Sequence, residues 1–441
     1  MIGYLERALN VRRHELGPAS LLFSYLFLVI GAYIMGQSVA KSLFLSAFRP
    51  EYLSRAIIAT ALFIGLFVSV YIWLSHRVRL QSLIVGCLLF FALLFGAFWW
   101  MTRLHNRWVY AAIYIGIYTV GALGPTMGWT LANFILTTRE ARRVFGFIGA
   151  GAILGGTFAG FATGLATRRG HVHSETLLLP VAIALAVCAL LVRLLFRQTQ
   201  QRMAGLAAVP AAGQGAPRNF LDNLVLIGDS RYLRLITALI AIGCVATTII
   251  DYQFTVVAKA FYPKKEALTS FFGSFFFVMG LCSFTLQLAL TGRLLRSFGI
   301  RVTLFVLPAV LFVGTYFVLL APTLLTVLLL RGSHYLLRYS LDKSSAELLY
   351  LPVAPDIKNQ IKSFIDTFIW RVADGVAGVV LWLFAEKLRF SPGRISLANF
   401  GFLLGWMAVA YGVRREYLNV LRRAIERRTL DPEKTAAARS G

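Results

Sequence analysis

Long apolar runs separated by short, mostly basic connections organise this 441-residue chain. Twelve such runs fall at 18–46, 52–75, 80–102, 107–136, 141–167, 174–195, 231–261, 267–291, 299–320, 322–345, 359–387 and 396–416. Each is close to the roughly 20 residues that carry a helix, at about 1.5 Å per residue, across a hydrocarbon layer about 30 Å thick. Lipid offers the backbone no water to bond, so the runs are predicted to be helices. The long interruption at 196–230 contains Ala207-Ala208-Val209-Pro210-Ala211-Ala212-Gly213, a composition that behaves as a linker. The pattern therefore predicts an all-α integral membrane protein with about 12 transmembrane helices in two pseudo-symmetric six-helix bundles, 18–195 and 231–416, joined by a cytoplasmic linker, 196–230. An interfacial segment, 1–17, and a basic amphipathic cytoplasmic tail, 417–441, are expected to lie along the membrane surface.

Composition agrees with that picture. The chain is 58% hydrophobic and 14% charged, against about half and about a quarter in soluble domains. Its net charge of +25 raises the question of nucleic acid. The arginines, however, sit between apolar runs, as in Arg77 and Arg79, Arg139, Arg142 and Arg143, Arg193 and Arg197, and Arg293 and Arg296. That is the positive-inside distribution, with anionic lipid headgroups as the partner and no nucleic acid expected. It places both termini in the cytoplasm, with a bacterial inner membrane as the expected location.

Cys87, Cys188, Cys244 and Cys282 lie in separate runs without CxxC spacing and read as small packing residues, so no metal site is expected. No HExxH, GxSxG or Walker loop occurs, which argues against an enzyme, a cofactor and ATP-driven pumping.

Ionisable residues inside the spans carry the candidate chemistry, because each costs at least ~2.5 kcal/mol to insert. Lys41 lies deep in the first run, either lining a cavity or snorkelling to the outer headgroups. Asp251 lies deep in the seventh and has no long stem with which to escape. In the tenth, Arg331, His334, Arg338 and Asp342 recur at three- and four-residue steps, which puts them on one helical face. In the eleventh, Lys362, Asp366, Trp370 and Asp374 repeat the pattern, with Arg371 three residues from Asp374. The two stripes predict either a shared aqueous pathway or interhelical salt bridges that lock the bundle. His334 is a candidate proton carrier or a hydrogen-bonded packing residue. Trp129, Asn133, Tyr252 and Trp370 are candidates to orient a planar ligand. Gly156, Gly160 and Gly164, one turn apart in the fifth run, predict close helix approach, either static or sliding.

Gly292-Arg293-Leu294-Leu295-Arg296-Ser297-Phe298-Gly299-Ile300-Arg301 resembles the cytoplasmic loop motif of the major facilitator superfamily, whose usual aspartate is Arg296 here. Arg338-Tyr339-Ser340-Leu341, then Ala346-Glu347-Leu348-Leu349-Tyr350-Leu351-Pro352, then Lys362, Asp366 and Arg371 resemble the ATP/ADP translocase (nucleotide transporter) family, a distant branch of that superfamily. Thr137 to Arg143, with Glu140-Ala141-Arg142-Arg143, looks like that family's fourth-to-fifth connection. Lys41 matches its first-span lysine, and Asp251 stands where it has a glutamate. Ala346 and Asp374 occupy positions where the family has lysine.

The resemblance implies a secondary transporter, an antiporter in the family's manner, for a small anionic solute such as a nucleotide or phosphorylated metabolite. Substrate-binding roles are expected for Lys41, Asp251, Arg331, Arg338, Asp366, Trp370 and Arg371. Coupling or gating roles are expected for His334, Asp342, Glu347, Asp374, Glu140 and Arg143. A transporter-derived scaffold or sensor, or a lipid flippase, is the alternative reading. A monomer is favoured.

Overall fold

The computed structural model describes residues 13–430 apart from 76, 105, 169–171, 207–219, 290, 339–347, 351–352, 354–360 and 363. Six long helices come first: α1 (Arg13–Ala47), α2 (Leu53–Ser75), α3 (Leu80–Met101), α4 (Arg107–Ile135), α5 (Thr138–Arg168) and α6 (Leu178–Leu206). A short α7 (Phe220–Asp229) precedes α8 (Arg231–Phe261), α9 (Lys265–Ala289), α10 (Thr291–Leu320), α11 (Leu324–Leu337), α12 (Trp370–Leu381) and α13 (Pro392–Leu430). No strand occurs among the described residues. Ten of the described helices are long and apolar enough to cross a membrane, and α11 is a shorter apolar helix.

The region predicted as the eleventh span differs from the others. Two π-helical segments, Ile365–Ile369 and Trp382–Lys387, flank α12, so its backbone is wound more loosely at both ends. Such segments within helices are frequent at functional sites. Within 196–230, α6 continues to Leu206 and α7 occupies Phe220–Asp229, while 207–219 lies outside the described residues. The amphipathic segment expected before the first span lies largely in 1–12, also outside them. The tail expected along the membrane surface begins as a continuation of α13, which runs from Pro392 to Leu430 as one helix.

Contacts divide the chain into two compact units, Met1–Pro210 with Thr255–Phe284, and Ala211–Phe254 with Thr285–Gly441. In the first, α1 packs against α4, α5 and α6. Tyr25 of α1 is buried and donates its hydroxyl to the Gly124 carbonyl at 3.0 Å. The glycines of α5 meet two partners. A Cβ on Gly155 would lie 2.0 Å from the Phe27 carbonyl oxygen of α1, and one on Gly160 would lie 2.7 Å from the Phe277 nitrogen of α9. Backbone rather than flexible side chain occupies that space.

Gly155→Val is accordingly expected to destabilise the protein by about 1–3 kcal/mol, the usual cost of overpacking. Thermal unfolding in detergent reads this as a lower Tm. A Tm equal to that of the wild type would mean that α1 and α5 part easily, the behaviour of a sliding face.

In the second unit α10 packs on α11 and α13, and buried polar side chains tie the helices together. Gln253 Nε2 donates to the Pro392 carbonyl at 2.7 Å and to Ser396 Oγ at 2.9 Å, and the Tyr232 hydroxyl donates to the Leu349 carbonyl at 2.6 Å.

Candidate functional site

Three elements of the second unit bring ionisable side chains together, and each pair of elements is linked. On α8, Cys244, Thr248 and Asp251 stand at steps of four and three residues and so share one face. On α11, Arg331 and His334 share a face, with Arg338 at the helix end. The third element is the start of α12, which follows the π segment directly and carries Trp370, Arg371 and Asp374.

The link from α8 to α11 is an ion pair between Asp251 Oδ1 and Arg331 Nη2, 2.9 Å apart, with side chains 24% and 11% exposed. From α8 to α12, Thr248 Oγ1 donates to Asp374 Oδ1 at 2.9 Å and Cys244 Sγ donates to the same oxygen at 3.2 Å. Between α11 and α12, the Arg338 guanidinium lies 4.3 Å from the centroid of the Trp370 ring. Arg371 Nη1 pairs with Asp374 Oδ2 at 3.0 Å within α12. Arginine only donates, so its contact with His334 makes the imidazole Nδ1 the acceptor and puts the ring proton on Nε2. Nε2 is buried, without a hydrogen-bond partner among the described residues.

Of the side chains expected to act together, Asp251, Arg331, His334, Arg338, Trp370, Arg371 and Asp374 therefore cluster. Asp342, Glu347 and the side chain of Asp366 lie outside the described residues. Lys41 belongs to the first unit, where it is 1% exposed with its ammonium 5.6 Å from the centroid of Phe272. Full burial rules out the snorkelling alternative. Tyr252 is buried in packing, and Trp129 meets Phe145 edge-on at 5.3 Å.

Glu140 has a local duty as well. Its Oε2 accepts from the Thr137 backbone nitrogen and from Thr137 Oγ1, both at 3.0 Å, while Glu140 N donates to Thr137 Oγ1 at 3.4 Å. That reciprocal arrangement is a capping box at the start of α5.

Sequence reasoning missed Cys244 and Thr248. Their spacing from Asp251 on one face of α8 was the available signal, hidden because each is small and common in apolar spans.

Known proteins share this architecture. A bacterial homologue of the iron transporter ferroportin, solved inward-facing, superposes with a TM-score of 0.63 at 14% identity, covering 91% of this chain and 98% of that one. The nucleoside transporter NupG gives 0.57 at 15% identity, covering 91% and 99%. The fold is thus that of the major facilitator transporters, an all-α integral membrane architecture.

In sequence, the ADP,ATP carrier protein 1 of Rickettsia prowazekii (strain Madrid E) is 22% identical over 365 residues, 74% of this chain and 72% of that protein. The ADP,ATP carrier protein 1 of Chlamydia muridarum (strain MoPn / Nigg) is 21% identical over 363 residues, 74% and 69% of the two. With residues 56–326 matching the family's sequence profile as well, the chain belongs to the TLC ATP/ADP transporter family.

Proposed function

We propose that the protein is a secondary active transporter for a small anionic solute, a nucleotide or another phosphorylated metabolite. It works by alternating access of the halves 18–195 and 231–416, with both termini cytoplasmic in a bacterial inner membrane. One observation carries the reading: α8, α11 and the π-flanked α12 are joined pairwise by Asp251–Arg331, Thr248–Asp374 and Arg338–Trp370, in a cluster that holds three arginines and two aspartates. Charge in a span is costly, so a cluster of this kind suits a path for a polar solute better than passive packing does. Relatives named as ADP,ATP carriers support a nucleotide.

In this reading Lys41, Arg331, Arg338 and Arg371 attract the anion, Trp370 orients it, and Asp251 and Asp366 hold the cations between cycles. His334, Asp342, Glu347 and Asp374, with Glu140 and Arg143, serve coupling or gating.

A thermal-shift screen of the purified protein against nucleotides, sugar phosphates and organic anions tests this. A ligand present at about 100 times its Kd stabilises the native state by ~2.7 kcal/mol, so a phosphorylated anion should raise Tm clearly. No shift with any anion, or a shift with neutral solutes alone, removes the reading.

A further inference from the structure

Cys244 and Thr248, one turn apart on α8, converge with Arg371 on a single carboxylate, that of Asp374. Oδ1 accepts from the thiol at 3.2 Å and from the hydroxyl at 2.9 Å, and Oδ2 accepts from the guanidinium at 3.0 Å. Each of these neighbours is a donor, and the ionised, acceptor-only carboxylate is the form that fits them. Arg371 is thereby neutralised from within the protein, as Arg331 is by Asp251. Arg338, lying over Trp370, forms no ion pair among the described residues.

We infer that Asp374 sets charge selectivity, with Cys244 and Thr248 as its positioning residues, so that the carrier prefers an anion of low charge, a phosphate monoester, over a polyphosphate chain. The inference rests on the reading of the protein as a carrier of an anionic solute and narrows that solute. A phosphate reaching Arg371 meets a guanidinium whose charge Asp374 already offsets, and the neighbouring carboxylate repels the phosphate at short range. Every further phosphate charge brought into the span needs a cation or a solvating group of its own, and two of the three guanidiniums already have a carboxylate.

Binding of adenosine mono-, di- and triphosphate to the purified full chain, alongside inorganic phosphate, pyrophosphate and tripolyphosphate, tests it. In the wild type the Kd should weaken by about tenfold or more from monophosphate to triphosphate in both series, a tenfold change corresponding to about 1.4 kcal/mol. Asp374→Asn keeps the shape and removes the charge, and should move the preference toward the triphosphate by about tenfold relative to the monophosphate. Cys244→Ala with Thr248→Val should shift it the same way by less, and Thr248→Ser should restore the wild-type order. A purely structural role would weaken every rung together.

A wild type that binds triphosphate most tightly overturns the inference. So does an order that stays the same in both Asp374→Asn and the double variant. Should Asp374→Asn fail to fold, the wild-type ladder and the double variant decide. Absence of binding on every rung overturns this inference, while the carrier reading is decided separately by the screen against sugar phosphates and organic anions.

Discussion

Asp251→Ala should lower the stability of the protein by about 3 kcal/mol and stop solute uptake, the largest combined effect expected of any single change. Asp251 and Arg331 form the 2.9 Å pair between α8 and α11, and Arg331 is only 11% exposed. Removing the acid leaves a guanidinium in a membrane span without its counter-charge. Breaking a buried pair typically costs about 3–5 kcal/mol. The lower end applies here because Asp251 is 24% exposed and Arg331 keeps its contact with His334. Replacing both partners, Asp251→Ala with Arg331→Met, removes the orphaned charge and should recover most of the stability. Uptake should remain lost in the double variant if the pair serves the solute. Thermal unfolding and proteoliposome uptake, run on the same preparations, separate the two effects. A double variant that recovers both would make the pair a packing device only.

Lys41→Met is expected to give the second large effect. Lys41 is fully buried in the first unit, against Phe272, and methionine has a similar volume without the charge. Uptake of a phosphorylated solute should fall by about a hundredfold, about 2.7 kcal/mol of lost interaction. Full uptake by the variant would show that Lys41 is a structural residue.

Much of the fold was legible because lipid leaves the backbone so few choices. The run predicted at 231–261 is α8 to the residue, and those at 52–75, 80–102 and 107–136 differ from α2, α3 and α4 by a residue at an end. Hydropathy carries no signal for a π turn, so the loosened backbone on either side of α12 was invisible. Hydropathy also says little about where a helix stops once it leaves the membrane. For that reason α6 and α13 run on past the expected ends of their spans, to Leu206 and Leu430.

At the site, helical periodicity placed Arg331 and His334 on one face, and the three-residue spacing paired Arg371 with Asp374. Neither argument identifies a partner on another helix. That is why Asp251 could be singled out but not matched to Arg331, and why Cys244 was read as packing rather than as a donor to Asp374. Lys41 shows the same limit: its long stem left two destinations open, and its burial comes from tertiary packing that the sequence does not spell out.

Counterflow tests the central claim most directly. Proteoliposomes loaded with unlabelled nucleotide or sugar phosphate are diluted into a trace of the labelled compound. Wild-type protein should accumulate the label transiently for at least one phosphorylated solute. Arg338→Ala, folded with an unchanged Tm but without the guanidinium over Trp370, should accumulate it at least about tenfold more slowly. Accumulation of no phosphorylated solute, or an Arg338→Ala rate equal to that of the wild type, would contradict the account.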